Sequence, residues 1–188
     1  MTCFMLPQTI LNAPTEEDTH YPPVSLSSYI QNQCIHCRHE CVNISQLVEE
    51  FKKKFKFSDA WIVQETLPSI PQPVILNHTD RLSLKEITMM TNGGTYISKL
   101  VDSTTDETIQ FLFQLAYCFR NVCICKPDSV CSLSSIKYVI ATDFMHSPKE
   151  GKYVIPYYFK MVIDEINSTY GQIQLEHLRY NTLSLGKI

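Results

Sequence analysis

The first glycines of this chain open the stretch Gly93-Gly94-Thr95-Tyr96-Ile97-Ser98-Lys99, which decides the predicted fold. No glycine occurs before Gly93 in the 188-residue sequence. Glycine adopts the left-handed backbone conformation that commonly ends a helix, so the pair marks the end of one element. The β-branched and aromatic residues after it are typical of a strand. The sequence therefore predicts a turn at residues 91–94 and a strand over Tyr96–Val101.

A helix and two strands are predicted after this first strand. Ser103 or Thr104 can cap the helix, and apolar residues recur at helical spacing over residues 109–119. The two strands lie close together in the sequence, at Val122–Cys125 and Lys137–Ala141. A connection this short joins antiparallel neighbours, so the pair is predicted to form a hairpin with the loop Lys126–Ile136 between its strands.

Upstream of the glycine pair, a helix is predicted after Ser45, which can cap it. Leu47, Val48, Phe51 and Phe55 fall at helical spacing. Lysines follow at positions 52, 53, 54 and 56, where cations are favourable near the helix C-terminus. The run indicates a solvated helix end, with a patch that faces RNA as the alternative.

The remaining elements are predicted with the same rules. A strand is expected over Ala60–Val63, and a helix capped by Asp80 over residues 82–90. A strongly apolar helix is expected over Tyr157–Asn167 and one more over Gln172–Arg179. Residues 1–43 are broken by four prolines and form a predicted irregular N-terminal arm with a short helix near Ser25–Gln33, while residues 44–188 form one α/β domain.

Composition narrows the function classes. Hydrophobic residues make up 44% of the chain and charged residues 19%, as in ordinary globular domains. The net charge of −3 gives no general attraction to nucleic acid, so DNA is not expected as a partner and any RNA contact has to be local. No apolar run approaches the roughly 20 residues that span a bilayer. The start of the chain lacks signal-peptide features, and a cytoplasmic protein without a membrane partner is expected.

The eight cysteines do not indicate a secreted disulfide framework. Cys123 and Cys125 are expected to share one face of a strand, and Cys118 to lie in a helix, as small buried side chains. The one cluster with zinc-like spacing has Cys34 and Cys37 as two ligands, and Cys41 or His39 could be a third. Because no second pair completes a tetrahedral site, zinc stays an alternative for this cluster.

The C-terminal half resembles the FtsJ-like RNA ribose 2'-O-methyltransferases, including those that methylate the mRNA cap. The resemblance covers about Asp59 to Phe144 and ends with Asp143-Phe144, which resembles the family's strand end. Without a gap, the chain matches the family's Gly-Gly turn, lysine-ended strand, Lys-Pro strand end and Ser-x-x-Tyr-Val run at Gly93, Gly94, Lys99, Lys126, Pro127, Ser135, Tyr138 and Val139. The resemblance implies a Rossmann-like, methyltransferase-type α/β sandwich with a mostly parallel sheet, an antiparallel C-terminal hairpin and a degenerate front half.

The departures from the family bear on activity. The family uses a tetrad of lysine, aspartate, lysine and glutamate, and Lys99 matches the central lysine, which is thought to deprotonate the ribose hydroxyl. Ile136 occupies the glutamate position, and Val130-Cys131 replaces a serine–arginine pair. Glu65 is a shifted stand-in for the aspartate. The glycines that let backbone approach S-adenosylmethionine are missing, since none precedes Gly93.

The sequence therefore predicts a non-catalytic relative of this family, with Lys99 as a remnant and no cofactor. Its layout is similar to the small, non-catalytic subunit of viral mRNA-capping enzymes. The resemblance implies a larger catalytic capping or methyltransferase subunit as partner, or self-association, with RNA contact as a further option. Two alternatives remain: an active 2'-O-methyltransferase whose donor site is divergent or supplied in trans, and a zinc-stabilised protein-interaction module.

Overall fold

The computed structural model describes residues 1–9, 43–56, 61–64, 74–77, 82–101, 103–149 and 151–185. Its strands are β1 (Thr2–Met5), β2 (Trp61–Gln64), β3 (Val74–Asn77), β4 (Thr95–Leu100), β5 (Phe119–Lys126) and β6 (Lys137–Phe144). Its helices are α1 (Ile44–Phe55), α2 (Asp106–Cys118) and α3 (Tyr157–Leu185), with a short 3₁₀ helix at Ile87–Met89. The helix predicted near Ser25–Gln33, the Asp80 cap and the Cys34, Cys37 and Cys41 cluster lie outside the described residues.

The strands form one mixed sheet in the order β1-β5-β6-β4-β3-β2. β2, β3 and β4 are parallel to one another, whereas β6 is antiparallel to both β4 and β5, and β1 is antiparallel to β5. The α/β class is confirmed, but the prediction of a mostly parallel sheet is wrong. Of the five pairings in the described part of the chain, only the two within β2–β4 are parallel, because β6 and β1 both run against their neighbours.

The predicted order of strand, helix, strand and strand after the glycine pair is confirmed, and β6 is antiparallel to both of its neighbours. β5 and β6 pair from Phe119–Phe144 to Cys125–Tyr138, so they form the expected hairpin. On its other side β6 pairs with β4, and Lys99 lies opposite Tyr138. The hairpin therefore folds back so that its second strand is inserted next to β4.

The glycine turn holds the far end of this hairpin. Gly93 has a φ of +79°, in the left-handed region that glycine adopts without strain. The Gly93 N–H donates to the Phe144 carbonyl at 3.0 Å, and the Phe144 N–H donates to the Gly94 carbonyl at 3.1 Å. The turn thus ends one element and also fixes where β6 stops. Asp143 beside it has a φ of +65° and pairs with Arg120 at 3.2 Å on the surface.

Both faces of the sheet are covered by helices. Alternate residues of β3 to β6 point to the face that α2 and α3 cover, where Ile75, Tyr96, Ile124 and Val139 join the larger core. The residues between them point to the opposite face, where Leu47 and Phe51 of α1 complete a second core with Val74, Leu76, Ile97, Cys123, Cys125, Val130, Tyr138 and Ile140. Burial on both faces explains why these strands are continuous apolar runs.

Three helix predictions differ from the structure. The N-caps are Asn43 and Thr105, whose side chains accept from Gln46 N and Thr108 N, in place of Ser45 and of Ser103 or Thr104. Residues 82–90 form turns and a 3₁₀ helix, so the predicted α-helix is wrong. The two helices predicted near the end are one continuous α3 that passes through Gly171, because its packed face outweighs the cost of about 1 kcal/mol for a helical glycine.

Two strands have no counterpart in the sequence-based predictions. β1 lies within the segment expected to be an irregular arm, and its pairing partner β5 is more than a hundred residues away along the chain. β3 follows the proline-rich stretch 67–73 and consists of Val74-Ile75-Leu76-Asn77, all buried. The apolar run of β3 is a strand signal that could have been used, whereas β1 has no local signal of comparable strength.

We expect Phe51→Ala to lower the free energy of unfolding by about 3–5 kcal/mol, the range for deleting a fully buried aromatic side chain. Phe51 is completely buried under the sheet, and its ring meets that of Tyr138 edge-on at 5.5 Å between centroids. Urea denaturation measures the change. Lys53→Ala, exposed on the same helix, is the control and should change the value by less than about 0.5 kcal/mol. A loss below about 1 kcal/mol for Phe51→Ala would contradict the position of α1.

Candidate functional site at the carboxyl end of the sheet

Three lysines lie at the end of the sheet where the parallel strands β2, β3 and β4 finish, here called the carboxyl end. Lys99 is the next-to-last residue of β4, Lys126 is the last residue of β5, and Lys137 is the first residue of β6. They meet there because β4 and β5 run in the same direction and β6 runs against both. The ligand sites of open α/β sheets lie at this end of the strands, which makes it the candidate site.

Lys99 is half-buried on the face that α1 covers. Its register partner is Tyr138, which is fully buried and packs against Phe51 of α1. The aliphatic stem of Lys99 therefore emerges from an aromatic surface beside α1, and long cationic side chains in such positions carry their charge toward solvent. The structure places Lys99 where the sequence predicted it, at the end of a central strand.

Ile136, at the position of the family's glutamate, lies close to Lys99. It precedes β6 by one residue and is two residues from Tyr138, so it is the diagonal cross-strand neighbour of Lys99. Such neighbours have Cα atoms about 7–8 Å apart, within reach of long side chains. The Ile136 side chain packs against the core beneath α1, and its N–H donates to Ser134 Oγ at 3.1 Å. An apolar side chain thus occupies the point from which a carboxylate could act on Lys99.

The aspartate stand-in, Glu65, lies outside the described residues, directly after β2. β3 separates β2 from β4, so their backbones are two strand spacings apart, roughly 9.5 Å. The strand next to β4 is β3, whose last residue is Asn77, opposite Ser98. The strand beside β4 therefore ends in a neutral amide. β2, which Glu65 follows, lies one strand farther from β4.

Asn77 is part of a buried polar chain with Tyr96. Its amide nitrogen donates to the Tyr96 hydroxyl at 3.3 Å, and this hydroxyl donates to the Ser83 carbonyl at 3.1 Å. Burial is the main cause that raises the pKa of Tyr96 to about 12. The phenol therefore stays protonated at neutral pH, and it holds β4 to the segment after residue 82 instead of acting as a base.

Lys126 shapes the loop that connects β5 to β6. Its side chain is buried, and its ammonium group donates to the Ser132 carbonyl at 3.0 Å and also to the Ser134 carbonyl. Pro127 begins the loop, and its carbonyl accepts from Val130 N at 3.2 Å. Lys126 and Pro127 thus stabilise the conformation of this loop. Of the two residues at the family's serine–arginine position, Val130 is buried in the core and Cys131 is exposed.

Lys137 and α3 support the same loop from the other face of the sheet. The Lys137 ammonium lies 5.6 Å from the ring centroid of Tyr170, a cation–π contact. Gln174, one turn further along α3, donates to the Ser134 carbonyl at 2.7 Å and to the Leu133 carbonyl at 3.3 Å. The sequence did not predict a role at this site for Lys137, Tyr170 or Gln174. Of the three, only Lys137 could have been placed there from the sequence, because it begins a predicted strand.

Glu50 of α1 holds the start of the loop. Its two carboxylate oxygens accept from Ser129 N at 2.9 Å and Asp128 N at 3.0 Å. The loop 127–136 is therefore tied to α1, to α3 and to Lys126. These contacts hold Ser134, Ser135 and Ile136 in fixed positions beside β4. Such a fixed loop is better suited to a contact surface than to a lid that opens and closes.

The charges and ligand types at this end limit its chemistry. Lys126 and Lys137 are buried, whereas Lys99 is half-buried. Across the described ranges, no three His, Cys, Asp or Glu side chains are placed to hold a metal ion, and no helix is long and apolar enough to cross a membrane. The three lysines make this end of the sheet locally cationic.

Comparison with known proteins adds no assignment. No protein-family model matches this chain, and no curated protein matches it.

We expect Lys126→Met to lower the free energy of unfolding by about 2 kcal/mol, because two carbonyls lose a charged donor. Hydrogen exchange of the backbone amides in residues 128–136 should become faster, while amides in β4 keep their protection. Lys152→Met, at an exposed position, is the matched control and should change neither quantity. An unchanged loop in Lys126→Met would mean that the lysine does not hold it.

Proposed function

We propose that this chain is a non-catalytic, methyltransferase-like subunit or accessory domain that supports RNA cap methylation. The observation that carries the proposal is the pair of Lys99 and Ile136, diagonal neighbours on one face at the carboxyl end of the sheet. The site retains a lysine that matches the central lysine of the FtsJ-like tetrad, and the apolar Ile136 stands where the resemblance implies a glutamate. With the carboxylate of the tetrad missing, Lys99 is not proposed to act as a general base.

The order of elements supports the family resemblance. β4, α2, β5 and β6 follow one another as the resemblance implies, and β6 is inserted antiparallel between β4 and β5. The matched residues occupy equivalent turning points: Gly93 in the turn before β4, Lys126 at the end of β5, and Tyr138 opposite Lys99. These positions support the proposed resemblance in layout.

The residues present do not fit S-adenosylmethionine. Such a donor binds where a parallel strand turns through glycines into a helix. Ahead of β2, residues 1–9 and 43–56 form an antiparallel edge strand and a helix beneath the sheet, and no glycine precedes Gly93 anywhere in the sequence. The chain is therefore proposed to act without its own methyl donor, through a larger catalytic capping or methyltransferase subunit or a second copy of itself.

The start of α3 is the surface proposed for this partner. Tyr157, Tyr158 and Met161 are 42%, 51% and 44% exposed, although Phe159 and Ile163 of the same helix are buried in the core. Exposed aromatic and methionine side chains next to a packed face are typical of contact surfaces. RNA would approach the carboxyl end of the sheet, where Lys99 is half-buried.

We expect the isolated chain to give no measurable heat of binding with S-adenosylmethionine, because the glycines of a donor site are missing. Isothermal titration calorimetry is the measurement, with a known methyltransferase as positive control. A micromolar dissociation constant, worth about −8 kcal/mol, would overturn the non-catalytic assignment and favour an active 2'-O-methyltransferase.

We expect Lys99→Ala to change methyl transfer to capped RNA by less than about tenfold in the complex recovered with the tagged chain from its own cells. A lost general base costs roughly 10²- to 10⁴-fold. Lys152→Ala serves as a surface-charge control. A thousandfold decrease specific to Lys99→Ala would show that the lysine is catalytic, and recovery of the chain without any methyltransferase activity would contradict its role in cap methylation.

A further inference from the structure

Three thiols meet where β1 joins the sheet, on the face that α1 covers. Cys123 and Cys125 are buried neighbours on β5, and their sulfur atoms are 3.5 Å apart. Cys3, half-buried on β1, is the register partner of Cys125. Cys125 is therefore the central thiol, with Cys123 beside it on its own strand and Cys3 opposite it on the next. The function proposed above uses none of the three.

The register brings Cys3 and Cys125 closer than ordinary strand neighbours. The Leu6 N–H donates to the Val122 carbonyl at 2.7 Å, so these two residues are a hydrogen-bonded pair of the antiparallel ladder. Pairs alternate along the ladder, which makes Cys3 and Cys125 a non-hydrogen-bonded pair. Such pairs have Cα atoms about 4.5 Å apart, within the range of about 4.4–6.8 Å found in disulfides.

The other close pair is less suited to a disulfide. Cys123 and Cys125 are two residues apart on one extended strand, where a rise of about 3.3 Å per residue separates their Cα atoms by roughly 6.6 Å. Their Cβ atoms point in the same direction at a similar separation, beyond the roughly 3.5–4.5 Å of a disulfide. A bond between them would require β5 to bend, although β5 is held by β1 on one side and by β6 on the other.

We propose that Cys3 and Cys125 form an oxidation-sensitive pair that a small disulfide such as glutathione disulfide converts into a cross-strand disulfide. The Cys3 thiolate, on the edge strand, attacks one sulfur of glutathione disulfide, which forms a mixed disulfide and releases one glutathione. The Cys125 thiolate then attacks the Cys3 sulfur and releases the second glutathione. The two protein thiols are oxidised, and their two protons end on the two glutathione molecules.

Cys123 has a positioning role in the second step. Its sulfur lies at hydrogen-bond distance from that of Cys125, so a hydrogen bond between the two thiols can hold the Cys125 sulfur in place beside β1. The product ties the edge strand β1 to β5 between residues that are 122 positions apart in the sequence (125 − 3). In a reducing compartment such a bond is transient and responds to the state of the glutathione pool.

Peptide mapping of the full-length chain under non-reducing conditions tests this proposal. The chain is incubated with glutathione disulfide and digested with chymotrypsin, which cleaves after Phe4 and Phe119. We expect the peptide Met1–Phe4 to be linked to the peptide that begins at Arg120, with fragmentation placing the bond at Cys125. Dithiothreitol should remove the link. A bond between Cys123 and Cys125, a bond from Cys3 to another cysteine, or unlinked peptides would each overturn the proposal.

Thermal unfolding gives an independent measurement. Closing a loop of this length should raise the melting temperature of the oxidised chain by roughly 10 °C over the reduced chain. The shift should disappear in Cys3→Ser and in Cys125→Ser, and remain in Cys118→Ser, a buried cysteine on the other core. An equal shift in all variants would mean that another pair is responsible, and the mapping of the unaltered chain decides the question if a variant does not fold.

Discussion

The pairing of β6 with strands on both of its sides is the interaction on which the rest of the structure depends. β6 hydrogen-bonds to β4 on one side and to β5 on the other, so it joins the parallel strands β2–β4 to the antiparallel pair β5 and β1. Its side chains also serve two cores. Tyr138 and Ile140 pack under α1, while Val139 and Ala141 pack under α2 and α3. Without this strand, β2–β4 and the pair of β5 and β1 would no longer belong to one sheet.

The insertion of β6 between β4 and β5 also determines which residues meet at the carboxyl end of the sheet. Because β6 reverses direction, its first residue and the loop before it arrive beside the last residues of β4 and β5. Three lysines therefore gather at one end without a carboxylate in the matched glutamate position. Two of these lysines have structural roles, since Lys126 donates to loop carbonyls and Lys137 lies over the ring of Tyr170. Burial of a cation is tolerated when its donors are satisfied, so these two lysines support the loop more than they attract a ligand.

The part of the fold predictable from sequence was the part with strong local patterns. The glycine turn, β4, α2 and the β5–β6 hairpin each have a clear period or punctuation, and the resemblance set their order. β1 is formed by pairing with β5 over a long separation, which local pattern cannot indicate. The antiparallel direction of β6 followed from its short connection to β5, whereas β1 was not predicted as a strand, and the expectation of a mostly parallel sheet was wrong. At the candidate site, the place of Lys99 near the end of β4 was predictable, whereas Gln174 reaches the loop only because α3 continues through Gly171.

Position 136 links stability to the proposed loss of catalysis. Ile136 packs against the core beneath α1, next to residues such as Tyr138 that hold the sheet to that helix. A glutamate at this position would bring a charge to the margin of an apolar core, and burying a charge costs free energy unless it is paired. In an active FtsJ-like enzyme, the matched lysine across the strand is the natural partner for that charge. If this chain acts without its own methyl donor, as proposed, the charge has no catalytic benefit, and an apolar side chain stabilises the same place. Under the proposed function, Ile136 is therefore the residue expected when this fold is kept as a scaffold for a catalytic partner.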